Sequence, residues 1–357
     1  MKREKAMDRR TAICLTLGAV PLAASLAGCQ REAVNTETKT AEAKDPLPSW
    51  NDGAAKDAIL NFVKTTTDKS SSSFLLPDDR IAEFDQDGTL WVEHPLYTQV
   101  VYCFEHVGAL VKEKPELKGR EPFKTVLSGN REAIAKLPLK ELFEIVIATE
   151  SGMTVEEYRA EVTSWLATAK HPRWNRLYTD LVYQPMLEVL SYMRANGYKT
   201  FIATGGTGGF VREYSGKIYG IPPEQVCGTA QSFKYSYGKD QQPILTREPK
   251  LLLNNMEAGK IENFWLLYGR QPYAAFGNSS SDDRQILEYT TAGDGKRLGM
   301  LVLHDDAQRE YAYGPAQGLP DTSVGTLSQA LYDEAKSKGW TVISMKNDWK
   351  QIFAFEK

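Results

Sequence analysis

The stretch "IAEFDQDGTLW", residues 81–91, is an apolar run that stops at two aspartates one residue apart and then meets a glycine. Residues two apart in an extended chain point the same way, so Asp85 and Asp87 can address one centre from the end of a buried strand. Two carboxylates so placed can divide the work between a nucleophilic oxygen and a group that moves protons. Gly88 lets the chain turn sharply behind them. An exposed turn would also favour Asp and Gly. A calcium loop is excluded, because Gly88 is fourth in the run where such loops need glycine sixth.

Other polar groups recur at the ends of apolar runs further on: Thr204 in "FIATGG", and Asn278 in "GNSSSD", residues 277–282. The glycine-rich "TGGTGGF" has neither a Walker lysine nor GxGxxG spacing. "GNSSS" has Ser281 where the serine-hydrolase elbow needs its second glycine. His94, His106, His171 and His304 show no close metal-ligand spacing.

The elements that must position these residues are legible from Gln184 onward, where helical and strand patterns alternate. "QPMLEVLSYMRANG" has apolar residues at helical spacing and stops at Gly197, and "KTFIATGG" follows as a short buried strand. Helix-then-strand pairs repeat through "AGKIENFWLLYG" and "PYAAFGN", "SDDRQILEYTTAG" and "RLGMLVLHDD", and "VGTLSQALYDEAKSKG" and "WTVISM". This alternation predicts a parallel sheet covered by helices. Ligands on such sheets bind at the carboxyl ends of the strands, which is where Asp85, Thr204 and Asn278 stand. Between the first strand and Thr204 lies an insertion, 92–180, whose pieces have helical period without strand alternation. It predicts a helical cap over the site. The expected organisation is a signal peptide over 1–28, a tether over 29–49, an α/β core over 50–91 and 181–357, and a cap over 92–180.

The N-terminal prediction rests on a basic start (Lys2, Arg3, Lys5, Arg9, Arg10) leading into an uncharged apolar stretch that ends in "LAGC" at Cys29. That ending resembles the lipobox of bacterial lipoproteins, which implies cleavage before Cys29, a lipid on its sulfur, and anchoring to the cell envelope on the periplasmic face; Gln30 after the cysteine would, by the same resemblance, permit sorting to an outer membrane. Gly18 and Pro21 interrupt a span already too short for a transmembrane helix. Residues 1–28 carry five basic and two acidic side chains, so their removal would take the net charge from −3 to −6. An acidic mature chain argues against nucleic acid as a partner. Of four cysteines, only Cys103 and Cys227 would remain to pair.

Four separated motifs in order, "DQDGT" at 85–89, Thr204, Lys260 and "GNSSSD", resemble those of the haloacid dehalogenase superfamily, nearest its phosphoserine-phosphatase branch, over about residues 80–305. The resemblance implies a Rossmann-like parallel-sheet core with an inserted helical cap. It makes Asp85 the nucleophile that forms an aspartyl phosphate, Asp87 the general acid/base, and Lys260 the charge between Asp85 and phosphate. Thr204 with the N–H groups of Gly205 and Gly206 would bind phosphate oxygens. Mg²⁺ would be held by Asp85, the carbonyl of Asp87, and the fourth motif through Asn278 and Asp282.

The fourth motif departs from the pattern: Asn278 stands where many relatives have aspartate, so Mg²⁺ should bind loosely and Asn278→Asp should tighten it. Asp282 is expected to be the ligand in preference to Asp283, since neighbours on a helix diverge by about 100°. The implied activity is hydrolysis of a small phosphomonoester, with a phosphotransferase or a non-catalytic phosphate-binding lipoprotein as alternatives. Dehalogenase relatives lack an acid/base aspartate two residues after the nucleophile, which this chain has. His94 stands where phosphoserine phosphatases commonly have glutamate, so phosphoserine is not the default substrate.

Overall fold

The computed structural model describes residues 44–356. The signal segment, the lipobox cysteine Cys29 and most of the tether lie outside the described residues. The tether is shorter than expected at its far end. Leu47 is fully buried and the Ser49 hydroxyl donates to Glu188 at 2.6 Å, so the folded body begins before Trp50. Burying one leucine and pairing one buried hydroxyl is enough to hold a segment whose composition reads as linker.

A seven-stranded sheet runs in the order β4-β3-β2-β1-β5-β6-β7. Its strands are β1 (Ile81–Phe84), β2 (Lys199–Thr207), β3 (Val226–Tyr237), β4 (Pro243–Leu253), β5 (Ala274–Gly277), β6 (Leu298–Leu303) and β7 (Thr341–Ser344). All neighbours pair in parallel except β4, which runs antiparallel to β3. Strands β1, β5 and β6 are buried at every position, which is why they read as unbroken apolar runs and not as alternation. Phe84 and Phe276 stack on adjacent strands with ring centroids 4.4 Å apart. Helices α1 (Ala54–Thr67), α7 (Gln184–Ala195), α8 (Gly208–Tyr219), α9 (Ala258–Tyr268), α10 (Arg284–Thr291), α11 (Gln329–Lys338) and the short α12 (Met345–Asp348) complete the core. The architecture is the expected α/β one with a Rossmann-like sheet.

Between β1 and β2 come α2 (Thr98–Glu113), α3 (Phe123–Ser128), α4 (Arg131–Ala135), α5 (Leu139–Thr149) and α6 (Val155–Leu166). The β3–β4 hairpin was not anticipated. It carries the cap: Arg247 of β4 exchanges backbone hydrogen bonds with Gly152 and Met153, which join α5 to α6. Cys103 and Cys227 are both buried free thiols.

Candidate active site

Strand β1 delivers Asp85 to the carboxyl edge of the sheet, where its N–H still donates to Phe276 O at 2.9 Å. The chain then turns: Gly88 N–H donates to Trp91 O, and the Trp91 indole N–H donates to Asp87 Oδ1, both at 2.8 Å. Gly88 has φ +77°, and a Cβ there would lie 2.1 Å from Asn278 Nδ2 and 2.4 Å from Glu93 Oε1. Both the backbone conformation and the space demand glycine. Burial pushes the Asp87 carboxyl up to about 6, against the indole N–H, which lowers it. A carboxyl poised there can both give and take a proton near neutrality.

Lys260, at the start of α9, is fully buried and its Nζ lies 2.7 Å from Asp85 Oδ1, 2.6 Å from Asp282 Oδ2 and 2.6 Å from Asp283 Oδ1. Burial opposes its charge, but Asp282, Asp283 and Asp85 outweigh that and hold the ammonium well above the ordinary lysine range. One cation facing three carboxylates leaves the cluster short of positive charge. Burial and Asp283 push Asp85 up accordingly, although Lys260 works the other way. Oxygens of Asp85, Asp282 and Asp283 lie within 4.8 Å of one another, a hard-oxygen, charge-deficient setting that could hold a divalent cation.

The two fourth-motif aspartates do not diverge as helical neighbours would, because α10 begins only at Arg284. Both reach Lys260. Asp283 is the loop brace: its Oδ2 accepts the N–H groups of Asn278 and Ser279, each at 2.9 Å. Asp282 uses Oδ1 to accept the N–H of Glu257 at 3.0 Å. Glu257 has φ 51°, a left-handed conformation that costs a non-glycine residue about 1–3 kcal/mol.

Asn278 and Asp85 share a neighbour. The Thr89 hydroxyl stands 3.3 Å from Asn278 Oδ1 and 3.4 Å from Asp85 Oδ2, so the two oxygens face a common space. Asn278 Nδ2 donates to Glu93 Oε1 at 2.6 Å, and the Tyr313 hydroxyl donates to the same oxygen at 2.7 Å. Glu93 thus fixes which end of the amide faces Asp85. From sequence, Glu93 stands one residue before the position where phosphoserine phosphatases commonly have glutamate, and that alone gave it no role. Its signal was an acid inside the apolar "LWVEHPL", but its partners are far along the chain.

Thr204 stands in β2 three residues before its end, and its Oγ1 accepts the Gly206 N–H at 3.0 Å. The β2–β3 register breaks between Thr204 and Thr207, which lifts Gly205 and Gly206 out of the ladder. A Cβ on Gly206 would lie 2.7 Å from Gln99 Oε1. The cap is fastened to this loop by a buried knot. Gln99 of α2 accepts from Thr207 N–H at 2.9 Å and donates to Glu150 at 2.6 Å. Arg247 pairs with Glu150 at 2.6 Å.

Asp85, Asp87, Thr204, Gly205, Gly206, Asn278 and Asp282 all line one cavity of about 400 Å³ between core and cap. Lys260 lies behind it, reaching Asp85 and Asp282. His304 is structural here, its Nε2 against Gly88 O at 2.8 Å.

Residues 81–240 match the family model described as haloacid dehalogenase-like hydrolase, so this part of the chain carries a hydrolase domain of that kind. It is similar to a protein of unknown function from Bordetella pertussis, with 15% identity over 74% of this chain and 97% of that one, at a TM-score of 0.43. A functionally unknown protein from Anaerococcus prevotii has 13% identity over 71% and 86%, at a TM-score of 0.48. A phosphoserine phosphohydrolase-like protein from Francisella tularensis has 12% identity over 63% and 88%, at a TM-score of 0.36. No curated protein matches.

Proposed function

We propose that this chain is a Mg²⁺-dependent phosphatase that hydrolyses a small phosphomonoester through an aspartyl phosphate on Asp85. One observation carries the reading. Asp85 and Asp87, two residues apart beyond β1, line the same cavity, and Lys260 Nζ stands 2.7 Å from Asp85 Oδ1. An Asp85 oxygen attacks phosphorus, the ester P–O bond breaks, and the Asp87 carboxyl gives its proton to the departing alcohol oxygen. Asp87, now a carboxylate, takes a proton from water, whose oxygen attacks phosphorus and frees Asp85.

Lys260 offsets repulsion between the nucleophile and the phosphate. Thr204, Gly205 and Gly206 line the space for phosphate oxygens. Mg²⁺, held by Asp85, the Asp87 carbonyl and Asn278 with Asp282 nearby, would supply further positive charge to the phosphoryl oxygens. The protein is lipid-anchored at Cys29 to the cell envelope, a reading supported by "LAGC" and the basic, apolar leader.

Asp85→Asn should abolish turnover of p-nitrophenyl phosphate, and acid quenching of wild type with ³²P-labelled substrate should leave label on protein that the variant lacks. Wild-type hydrolysis by Asp85→Asn would refute the mechanism. Fatty-acid labelling of cells should mark wild type and not Cys29→Ala; equal labelling would refute the anchor.

A further inference from the structure

We infer that the alcohol portion of the substrate is uncharged and apolar, an aryl or short alkyl group; this rests on the phosphatase reading above. The floor of the cavity is the polar site, but its roof is built by α5 and the segments around it. Leu96, Leu137, Leu142, Phe143, Val146 and Val324 line it there. Most polar side chains of the roof and rim already have partners, Ser281 excepted. Gln99 is tied into the knot with Thr207 and Glu150. The Ser323 hydroxyl donates to Ala135 O and that of Thr326 to Thr322 O. The Tyr97 hydroxyl accepts from Gly325 N–H at 3.3 Å. Lys136 is mostly exposed and paired with the equally exposed Glu132 at 2.7 Å.

Each rival class of alcohol would leave groups unsatisfied. A sugar needs a ring of donors and acceptors, an amino-acid alcohol needs a cation for its carboxylate, and a nucleoside needs partners for its base edge. Among the described residues no arginine lines the cavity, the lining Lys136 stands out in solvent against Glu132, and the one fully buried lysine behind the cavity is shared by three carboxylates. An apolar group meets no such penalty here. Each methylene it buries should raise affinity about fourfold.

The test is steady-state kinetics of the purified protein with Mg²⁺ on esters of alcohols similar in acidity. Hexyl and 2-phenylethyl phosphate are compared with glycerol 3-phosphate and phosphoserine, and methyl phosphate serves as an ester too short to reach the roof. The expected result is a kcat/KM at least tenfold higher for the two apolar esters. Leu137→Ser and Phe143→Ser should each lower kcat/KM for hexyl phosphate at least fivefold, and for methyl phosphate less than twofold, which separates lost contact from lost fold. Equal or better turnover of glycerol 3-phosphate or phosphoserine overturns the inference while leaving the phosphatase reading intact. Calorimetric binding of hexylphosphonate against 2-aminoethylphosphonate, neither of which has an ester to cleave, reads the cavity without turnover. If no ester is hydrolysed yet hexylphosphonate binds at least tenfold tighter, the phosphatase reading falls and the apolar site stands. If nothing is hydrolysed and the phosphonates bind alike, both fall.

Discussion

Glu83 sits on β1, 2% exposed, and its Oε1 has no hydrogen-bond partner. Burial pushes its carboxyl from 4.5 up to about 8; Lys260 lowers it and Asp283 raises it further. The folded protein therefore keeps this proton over a range in which the unfolded chain has released it. Stability from this group is complete below pH 4.5, drains as pH rises, and is gone once pH passes about 8. At 1.36 kcal/mol per pH unit the whole gap amounts to about 5 kcal/mol, of which about 3 falls between pH 5 and pH 8. Glu83→Gln removes the titration. Any packing cost of the amide is the same at both pH values, so the variant's stability relative to wild type should improve by about 3 kcal/mol from pH 5 to pH 8. Urea denaturation of both proteins at the two pH values measures this directly. A relative stability that does not change with pH would show that Glu83 is not held protonated, and the reasoning would fail.

Asn278→Asp alone should not tighten Mg²⁺ binding, contrary to the expectation from sequence, because it sets a second carboxylate against Glu93 where the amide now donates at 2.6 Å. Asn278→Asp combined with Glu93→Gln should lower the Mg²⁺ midpoint of activity, and equal midpoints for single and double variants would count against this. For Asp87, kcat/KM on hexyl phosphate should fall relative to that on p-nitrophenyl phosphate as pH rises through about 6, since only the alkoxide needs the proton. Rates are taken per substrate dianion, since the aryl phosphate loses its second proton at lower pH than the alkyl ester, and a flat ratio after that correction would remove Asp87 from that role. Arg247→Ala strands the buried Glu150 and should cost about 3–5 kcal/mol, seen as a melting temperature lower by about 10 °C; a change under about 2 °C would mean that the pair is not holding cap to core.

The core was legible because strands buried on both faces read as apolar blocks and their helices as clean 3.6-residue periods, from "KTFIATGG" to "WTVISM". The β3–β4 hairpin was not, since Phe233, Tyr235, Tyr237, Leu245 and Leu251 stay exposed and no buried face imposes a pattern on it. Helices α3 and α4, six and five residues long, are too short for a period to show. Asp85, Asp87, Thr204 and Asn278 were visible because each ends an apolar run. The argument from helical divergence does not apply to Asp282 and Asp283, since α10 starts only at Arg284; what separates them is that Asp282 lines the cavity while Asp283 braces the loop. Glu93 was beyond reach because its meaning depends on Tyr313 and Asn278, placed by tertiary packing alone.

With Gln99 and Glu150 fastening α2 and the end of α5 to the glycine loop and to β4, a whole-cap lid motion is kinetically forbidding. Leaving either charge of the Glu150–Arg247 pair alone in the interior costs about 3–5 kcal/mol, enough to slow such a swing by roughly 10²–10⁴-fold. Helices α3 and α4 pack on α2 and on each other, with the buried Phe123 and a Ser323 hydroxyl bond to Ala135 O as further ties. On the phosphatase reading, admission and release are expected to draw on the segment near 114–138 more than on the wall formed by α2 and α6. The glycine loop, with the Gly206 N–H on Thr204 and the Thr207 N–H on Gln99, is expected to stay assembled while that segment opens. Faster hydrogen exchange over 114–138 than over α2 and α6 would be its signature, and uniform exchange across the cap would rule it out.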